Sequence, residues 1–508
     1  MRKDNPLTGC LRIISCLLIV LLLQACTRNM QIRTDLSDCK QGLPSDKVVE
    51  CFPRNSIENY PNFKLGFVEF DDQGWFYDHD QMHRLLKELN NEAKDKDHDL
   101  LLVVFVHGWR HNAQYSDENV QAFRDTLNLL ASTEQLKEKK AQRKVFGIYV
   151  GWRGRSLTGP TVWESLSFYE RKKVADYISK GSVRELFARL RHFALNQNSQ
   201  KRKYIKQIQA QNASPKPPPK IRMVILGHSF GGLIVYSAIS PYLMYSGITK
   251  HCDETMKPDS CEEMTKWVDP FVDLVFLINP AFEASRYEPL HHIATSRKYK
   301  PQQQPVFIAV TTDNDWATRY AFPFGRWINA VLEDERHDPV QKEANKNTVG
   351  HVKRYRTHTL TTCNDTPIAG TKPSDSDAST CGCNGWKSKI GETEQAAVAT
   401  QSPGEVTALP PSELEDNLRK ERSKAQAFYQ YWQGNDGRLQ PGWVRHFCGG
   451  LVLRHDPDND NKEPENPFWI VYTDKSVIDG HGGFTKPQLR NFVHQILLDQ
   501  EEGLDDAQ

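Results

Sequence analysis

This 508-residue chain lacks a charge of one sign: Lys and Arg total 65 against 64 for Asp and Glu, a net charge of +1. Proteins that hold nucleic acid through its phosphates carry a basic surplus, so binding of nucleic acid by the whole surface is not expected. The chain has only one long apolar run, which excludes a membrane protein with several spanning helices. It has no Gly-rich phosphate loop, no dinucleotide fingerprint and no HExxH pair. No cofactor and no catalytic metal are therefore expected. It also has no internal repeat, so a solenoid or propeller is excluded. Apolar material is not scarce. Hydrophobic residues make up 38% of the chain, which excludes global disorder and suffices for a sizeable core.

The one long apolar run lies at the start. Arg2, Lys3 and Arg12 supply a positive region, and Ile13 to Leu23 an apolar stretch of signal-peptide length that ends in Leu23-Gln24-Ala25-Cys26. This ending resembles the lipobox of bacterial lipoproteins. The resemblance implies a signal over 1–25, acylation of Cys26, and a lipid anchor in the bacterial cell envelope. Thr27, where an aspartate would imply retention at the inner membrane, points to the outer membrane. Removing Cys10 and Cys16 with the signal and Cys26 to lipid leaves 11 − 3 = 8 cysteines. In an oxidising compartment Cys39–Cys51 and Cys252–Cys261 are near enough in sequence to close local loops as disulfides. Cys363, Cys381, Cys383 and Cys448 are open between disulfides, the commoner outcome in an exported protein, and a zinc site.

Residues 26–60 are polar without a sustained period and read as a tether. From residue 61 strand and helix patterns alternate, the signature of an α/β fold with a mostly parallel sheet and helices on both faces. Residues 64–70, 101–106, 145–150, 221–226, 274–278, 306–310 and 469–473 read as strands. Several are continuous apolar runs, as strands buried on both faces require. Residues 81–94, a segment opened by Ser116, 161–195, 230–237 and the segment after Pro487 read as helices. Residues 331–466 interrupt the rhythm. They read as a large insertion, partly disordered over 364–411, that could form a lid, with a helix from Pro411 to about residue 433. The core resumes over 467–508.

The strongest chemical signal is Gly227-His228-Ser229-Phe230-Gly231, which directly follows one strand pattern and opens a helix pattern. A serine nucleophile needs that context: a tight, strained turn that projects its hydroxyl above the sheet, with small neighbours that let strand and helix approach. A second signal, His107-Gly108-Trp109, ends the strand over 101–106. Together these resemble the α/β-hydrolase superfamily, in particular its lipase and esterase branches. The resemblance covers about 61–330 and 467–505. It implies an oxyanion hole formed by the backbone N–H groups of Trp109 and Phe230, with His107 structural. It also implies a triad in the order serine, acid, histidine. The acid is then Asp315 or Asp313, both just past the strand over 306–310. The base is His481 in Asp479-Gly480-His481-Gly482-Gly483, with His358 as the alternative. The gap from Asp315 to His481 is long for this fold, and the insertion accounts for it.

Asp456, Asp458 and Asp460 alternate like the start of a calcium loop, but Asn461 and Pro467 stand where an EF-hand needs Gly and Glu, so an EF-hand is excluded. Trp109, Trp152 and Trp316 fall at strand ends, where they either line an acyl pocket or belong to the core. The function expected is hydrolysis of carboxylic esters by a serine hydrolase, with an ester or lipid-like substrate and the membrane as partner. An acyltransferase, thioesterase or peptidase on the same triad, or a non-catalytic surface lipoprotein, are the alternatives.

Overall fold

The computed structural model describes residues 29–35, 52–135, 142–155, 161–211, 219–248, 267–301, 303–323, 338–363, 411–448, 450–457, 463–482, 489–490 and 492–497. In chain order the elements are β1 (Ile57–Asn59), β2 (Phe63–Phe70), α1 (His79–Glu92), β3 (Asp99–Val106), α2 (Glu118–Gln135), β4 (Arg143–Trp152), α3 (Thr161–Lys180), α4 (Val183–Gln211), β5 (Ile221–His228), α5 (Phe230–Ile248), β6 (Leu274–Ile278), α6 (Glu288–Thr295), β7 (Phe307–Thr312), α7 (Pro339–Lys346), β8 (His358–Thr362), α8 (Pro411–Trp432), β9 (Val444–Phe447), β10 (Leu451–His455) and β11 (Phe468–Thr473).

The described strands form one sheet in the order β1-β2-β4-β3-β5-β6-β7-β11-β8-β10-β9. From β2 to β8 every neighbouring pair is parallel; β1, β10 and β9 add antiparallel edges. The protein is therefore α/β with a mostly parallel mixed sheet. Alternation along β3 shows why its sequence has no polar face. Leu100, Leu102, Val104 and Val106 pack into one core with α1, α3, α4, α5 and α6. Leu101, Val103 and Phe105 pack into a second core with α2, α8 and the helical residues 489–490 and 492–497. A strand covered by helices on both sides must be apolar at every position.

Part of the stretch read as a tether is fixed to this body. The buried Glu69 carboxylate on β2 accepts the N–H groups of Ile32 (3.0 Å) and Arg33 (2.8 Å). The fully buried Arg33 guanidinium donates to Glu58 on β1 (2.8 Å) and to the Ala113 carbonyl (2.7 Å). Glu58 in turn holds Arg124 of α2. An isolated buried guanidinium would be prohibitively costly; the Glu58 carboxylate offsets the charge of this one, while its Nη2 has no partner among the described residues.

The described part of 331–466 contributes β8, β9 and β10 to the sheet. Cys363 and Cys448, just past the ends of β8 and β9, are disulfide-bonded. The pairings Cys39–Cys51 and Cys252–Cys261, together with Cys26, Cys381 and Cys383, lie outside the described residues. Among the described residues no helix is long and apolar enough to cross a membrane.

Candidate active site

The order of the parallel strands locates a crevice. β3 leads through α2 to β4 on one side, whereas β5 leads through α5 to β6 on the other. Helices departing in opposite directions leave a gap between the carboxyl ends of β3 and β5, where open α/β sheets hold their ligands. His107-Gly108-Trp109 leaves β3 at this point, and Ser229 leaves β5.

Ser229 has φ +56°, a left-handed conformation that costs a serine of order 1–3 kcal/mol. Its backbone is held there from three sides. Its N–H donates to the Ile278 carbonyl (3.0 Å), and its carbonyl accepts from Ala281 (3.1 Å) and Leu233 (3.3 Å). Two glycines make the turn sterically possible. A Cβ on Gly231 would stand 2.0 Å from the Val106 carbonyl oxygen, and one on Gly108 would stand 2.7 Å from the Ser229 Cβ. The turn after β3 is thus pressed directly against the turn after β5.

The Ser229 hydroxyl donates to His481 Nε2 at 2.7 Å, and His481 Nδ1–H donates to Asp315 Oδ2 at 2.8 Å. Asp315 is fully buried. Burial alone would raise its carboxyl. The charge and hydrogen bond of His481, with the Thr318 bonds, more than offset that and hold it below its ordinary value. Oδ1 accepts from the N–H groups of Ala317 (2.9 Å) and Thr318 (3.3 Å), and Oδ2 from the Thr318 hydroxyl (2.6 Å). Asp313, two residues earlier, is only half-buried. Its backbone continues the ladder, with the N–H on the Thr473 carbonyl (2.9 Å), and its carboxylate has no bond to His481. His358 is far from this chemistry in role. It sits in β8, fully buried between the rings of Trp469 (4.4 Å) and Trp443 (5.0 Å). Its strand is the physical reason it takes no part, because a side chain inside the second core cannot reach the carboxyl edge.

Several residues that sequence reasoning did not single out position the histidine. The His481 carbonyl accepts from His228 Nε2–H (2.8 Å) and from Asn279 Nδ2–H (3.2 Å). Asn314 accepts the Gly480 N–H (3.1 Å) and donates to Asp479 (2.8 Å). The Thr312 hydroxyl donates to the Ile478 carbonyl (2.8 Å). His351 Nε2 lies 3.1 Å from the Thr318 hydroxyl oxygen, behind Asp315. The only sequence signal among these was His228, inside the serine motif itself. A loop with freely rotating glycines is thereby tied to the ends of β5, β6 and β7.

Phe230 directly follows Ser229, and Trp109 directly follows Gly108, which abuts the Ser229 Cβ; among the described residues neither N–H has a backbone or side-chain acceptor outside regular helix bonding. The Trp109 ring is half-buried against the edge of Phe168 of α3 (5.3 Å), and Phe168 also meets Phe230 (4.8 Å). Trp152 is core, stacked on His107 at 5.3 Å, and Trp316 is exposed. α3 crosses this edge. Arg171 reaches Asp72 beyond β2 (2.9 Å), and Lys172 reaches Glu283 beyond β6. His107 is structural: Nε2 accepts the Trp152 N–H (3.1 Å) and Nδ1–H donates to the Gly108 carbonyl (2.9 Å). Among the described residues no group of three or more His, Cys, Asp and Glu is arranged to hold a metal ion. Asp456 ties strands together through Thr359 (2.6 Å), while 458–462 lie outside the described residues.

The buried histidines set the acid limit of the protein. Burial lowers His107 and His351 to about 4 and drives His228 and His358 well below their ordinary value. Unfolded, each binds a proton near pH 6.5; folded, each stays neutral to lower pH. The unfolded state therefore binds more protons in that window, and stability falls as pH drops from 6.5 toward 4. His107 alone accounts for about 3 kcal/mol. The urea midpoint is expected to fall as pH drops from 6.5 to 4.5; a flat midpoint over that range would contradict neutral burial.

Comparison with protein-family models, with curated proteins and with solved structures returns no match.

Proposed function

We propose that the protein is a serine hydrolase of the α/β-hydrolase type that cleaves carboxylic esters through an acyl-enzyme, held at the bacterial cell envelope, at the outer membrane, by a lipid on Cys26. The observation that carries the reading is the hydrogen-bonded series Asp315–His481–Ser229, with the serine in a left-handed turn at the crevice between β3 and β5. The disulfide-bonded Cys363 and Cys448 support residence in an oxidising compartment.

His481 Nε2 takes the Ser229 proton as Oγ attacks the ester carbonyl. Charge that develops on the carbonyl oxygen is received by the N–H groups of Trp109 and Phe230. Loss of one such donor costs about 3–4 kcal/mol in enzymes where it has been removed. Asp315, kept ionised, holds the Nδ1–H tautomer and stabilises the imidazolium. The imidazolium then protonates the departing alkoxide, and the alcohol leaves. Water, deprotonated by His481, attacks the acyl-serine; the acid is released and Ser229 regains its proton.

A series of 4-nitrophenyl esters of increasing acyl length tests the reading. The expected result is release of nitrophenol and free acid, with an acyl mass adduct on the peptide containing Ser229 when the reaction is quenched early. Absence of turnover on every ester together with absence of an adduct would overturn it.

A further inference from the structure

The N-terminal segment fixes which side of the molecule meets the membrane. Arg33 is anchored deep beside β1, whereas Asn29 has reached Tyr77, whose hydroxyl donates to the Asn29 side chain. Tyr77 belongs to the turn beyond β2: its N–H bonds the Glu69 carbonyl (3.1 Å), and Phe76 bridges Phe70. Read backward from Arg33, the chain therefore leaves the body at the carboxyl edge of the sheet. Cys26 is only 29 − 26 = 3 residues further. At a reach of at most about 3.6 Å per residue, an acyl chain on Cys26 keeps Asn29 within about 11 Å of the lipid.

That same corner exposes large apolar side chains. Trp75 is 67% exposed and Met30 56%. Gly74, which precedes Trp75, lies against α3, where an added Cβ would stand 2.7 Å from the Tyr177 carbonyl. Tyr177 is 38% exposed, with the Lys173 ammonium over its ring at 5.6 Å. Across the same edge, next to Asp315, Trp316 is 64% exposed. Large exposed aromatics, one with a lysine over its ring, suit the interface between headgroups and acyl chains. β2 and β5 are three strand spacings apart, so Ser229 stands about 15 Å to the side of this corner on the same edge.

We infer that the carboxyl edge of the sheet is a bilayer-docking surface, seated through Met30, Trp75, Tyr177 and Trp316, so that Ser229 takes its ester substrates from the lipid layer. The docking rests on acylation of Cys26, and the substrate class rests on the hydrolase reading above. α3, which crosses the edge beside Trp109 and Phe230, is then the element between the lipid surface and the serine.

The test uses the full lipidated protein in phosphatidylethanolamine–phosphatidylglycerol vesicles that contain acyl-chain-brominated lipid, which quenches only tryptophan at membrane depth. Trp75→Phe is expected to remove a distinct share of the quenchable fluorescence, and Trp316→Phe a further share, with near-identical melting temperatures. Quenching unchanged in both variants, or an N-terminal mass without diacylglycerol, would overturn the docking. A second arm separates docking from catalysis. Trp75→Ser with Tyr177→Ser is expected to lower turnover of a fluorogenic ester lipid in the same vesicles at least fivefold, while fluorophosphonate labelling of Ser229 proceeds at the wild-type rate. Equal vesicle turnover would overturn the substrate class. Loss of labelling in the wild type itself would instead strike the hydrolase reading and leave the quenching result to stand or fall on its own.

Discussion

Ser229→Ala is expected to lower kcat on any accepted ester by about 10⁶-fold, and His481→Ala by nearly as much, while the double variant is no worse than either alone. The non-additivity follows from geometry. The serine hydroxyl is a weak nucleophile until the nitrogen 2.7 Å away accepts its proton, so either group without the other contributes almost nothing. What would survive in all three variants is the proposed oxyanion site at the Trp109 and Phe230 amides, which belongs to the backbone. Neither substitution should unfold the protein. Alanine at 229 removes only the hydroxyl, and the turn is fixed by backbone bonds to Ile278, Ala281 and Leu233. Steady-state kinetics with thermal melts on the same samples check this. Losses that multiply in the double variant would mean that the two residues do not act as a unit.

The second large effect separates the two aspartates. Asp315→Asn is expected to cost about 10⁴-fold in kcat, and Asp313→Asn less than about threefold. Both oxygens of Asp315 are acceptors only: one faces the amides of Ala317 and Thr318, the other His481 Nδ1–H and the Thr318 hydroxyl. An asparagine keeps its oxygen toward the two amides and turns its NH₂ toward His481. The imidazole must then present a lone pair at Nδ1 and carry its proton on Nε2, where it can no longer accept from Ser229. Asp313 faces partly to solvent, and its useful bond, the N–H to Thr473, belongs to the backbone and survives the change. A large loss in Asp313→Asn with little in Asp315→Asn would reverse the assignment.

The two aspartates also show where the sequence stops being legible. Both follow a strand pattern, and spacing could not choose between them. The choice depends on β7 pairing two residues further, to Thr312, which keeps Asp313 in the ladder and turns the chain inward at Asp315. Strands buried on both faces are plain in the short apolar runs of β3, β4, β5 and β6, because a strand covered by helices on both sides has no polar face. β8, β9 and β10 were not. His358-Thr359-Leu360-Thr361-Thr362 and Val444-Arg445-His446-Phe447 carry polar residues throughout, and their strand character comes from pairing at the far edge of the sheet. Ser229 was legible because its turn constrains five consecutive residues. The holders of His481 were not, since His228, Asn279 and Asn314 come from three separate strand ends and meet only in the fold.

Reaction of the folded protein with a fluorophosphonate asks whether Ser229 is an activated nucleophile. A single adduct is expected, mapped by mass spectrometry to the peptide containing Ser229 and absent from both Ser229→Ala and His481→Ala. An unlabelled protein, or an adduct on another residue while Ser229 stays unmodified, would contradict it.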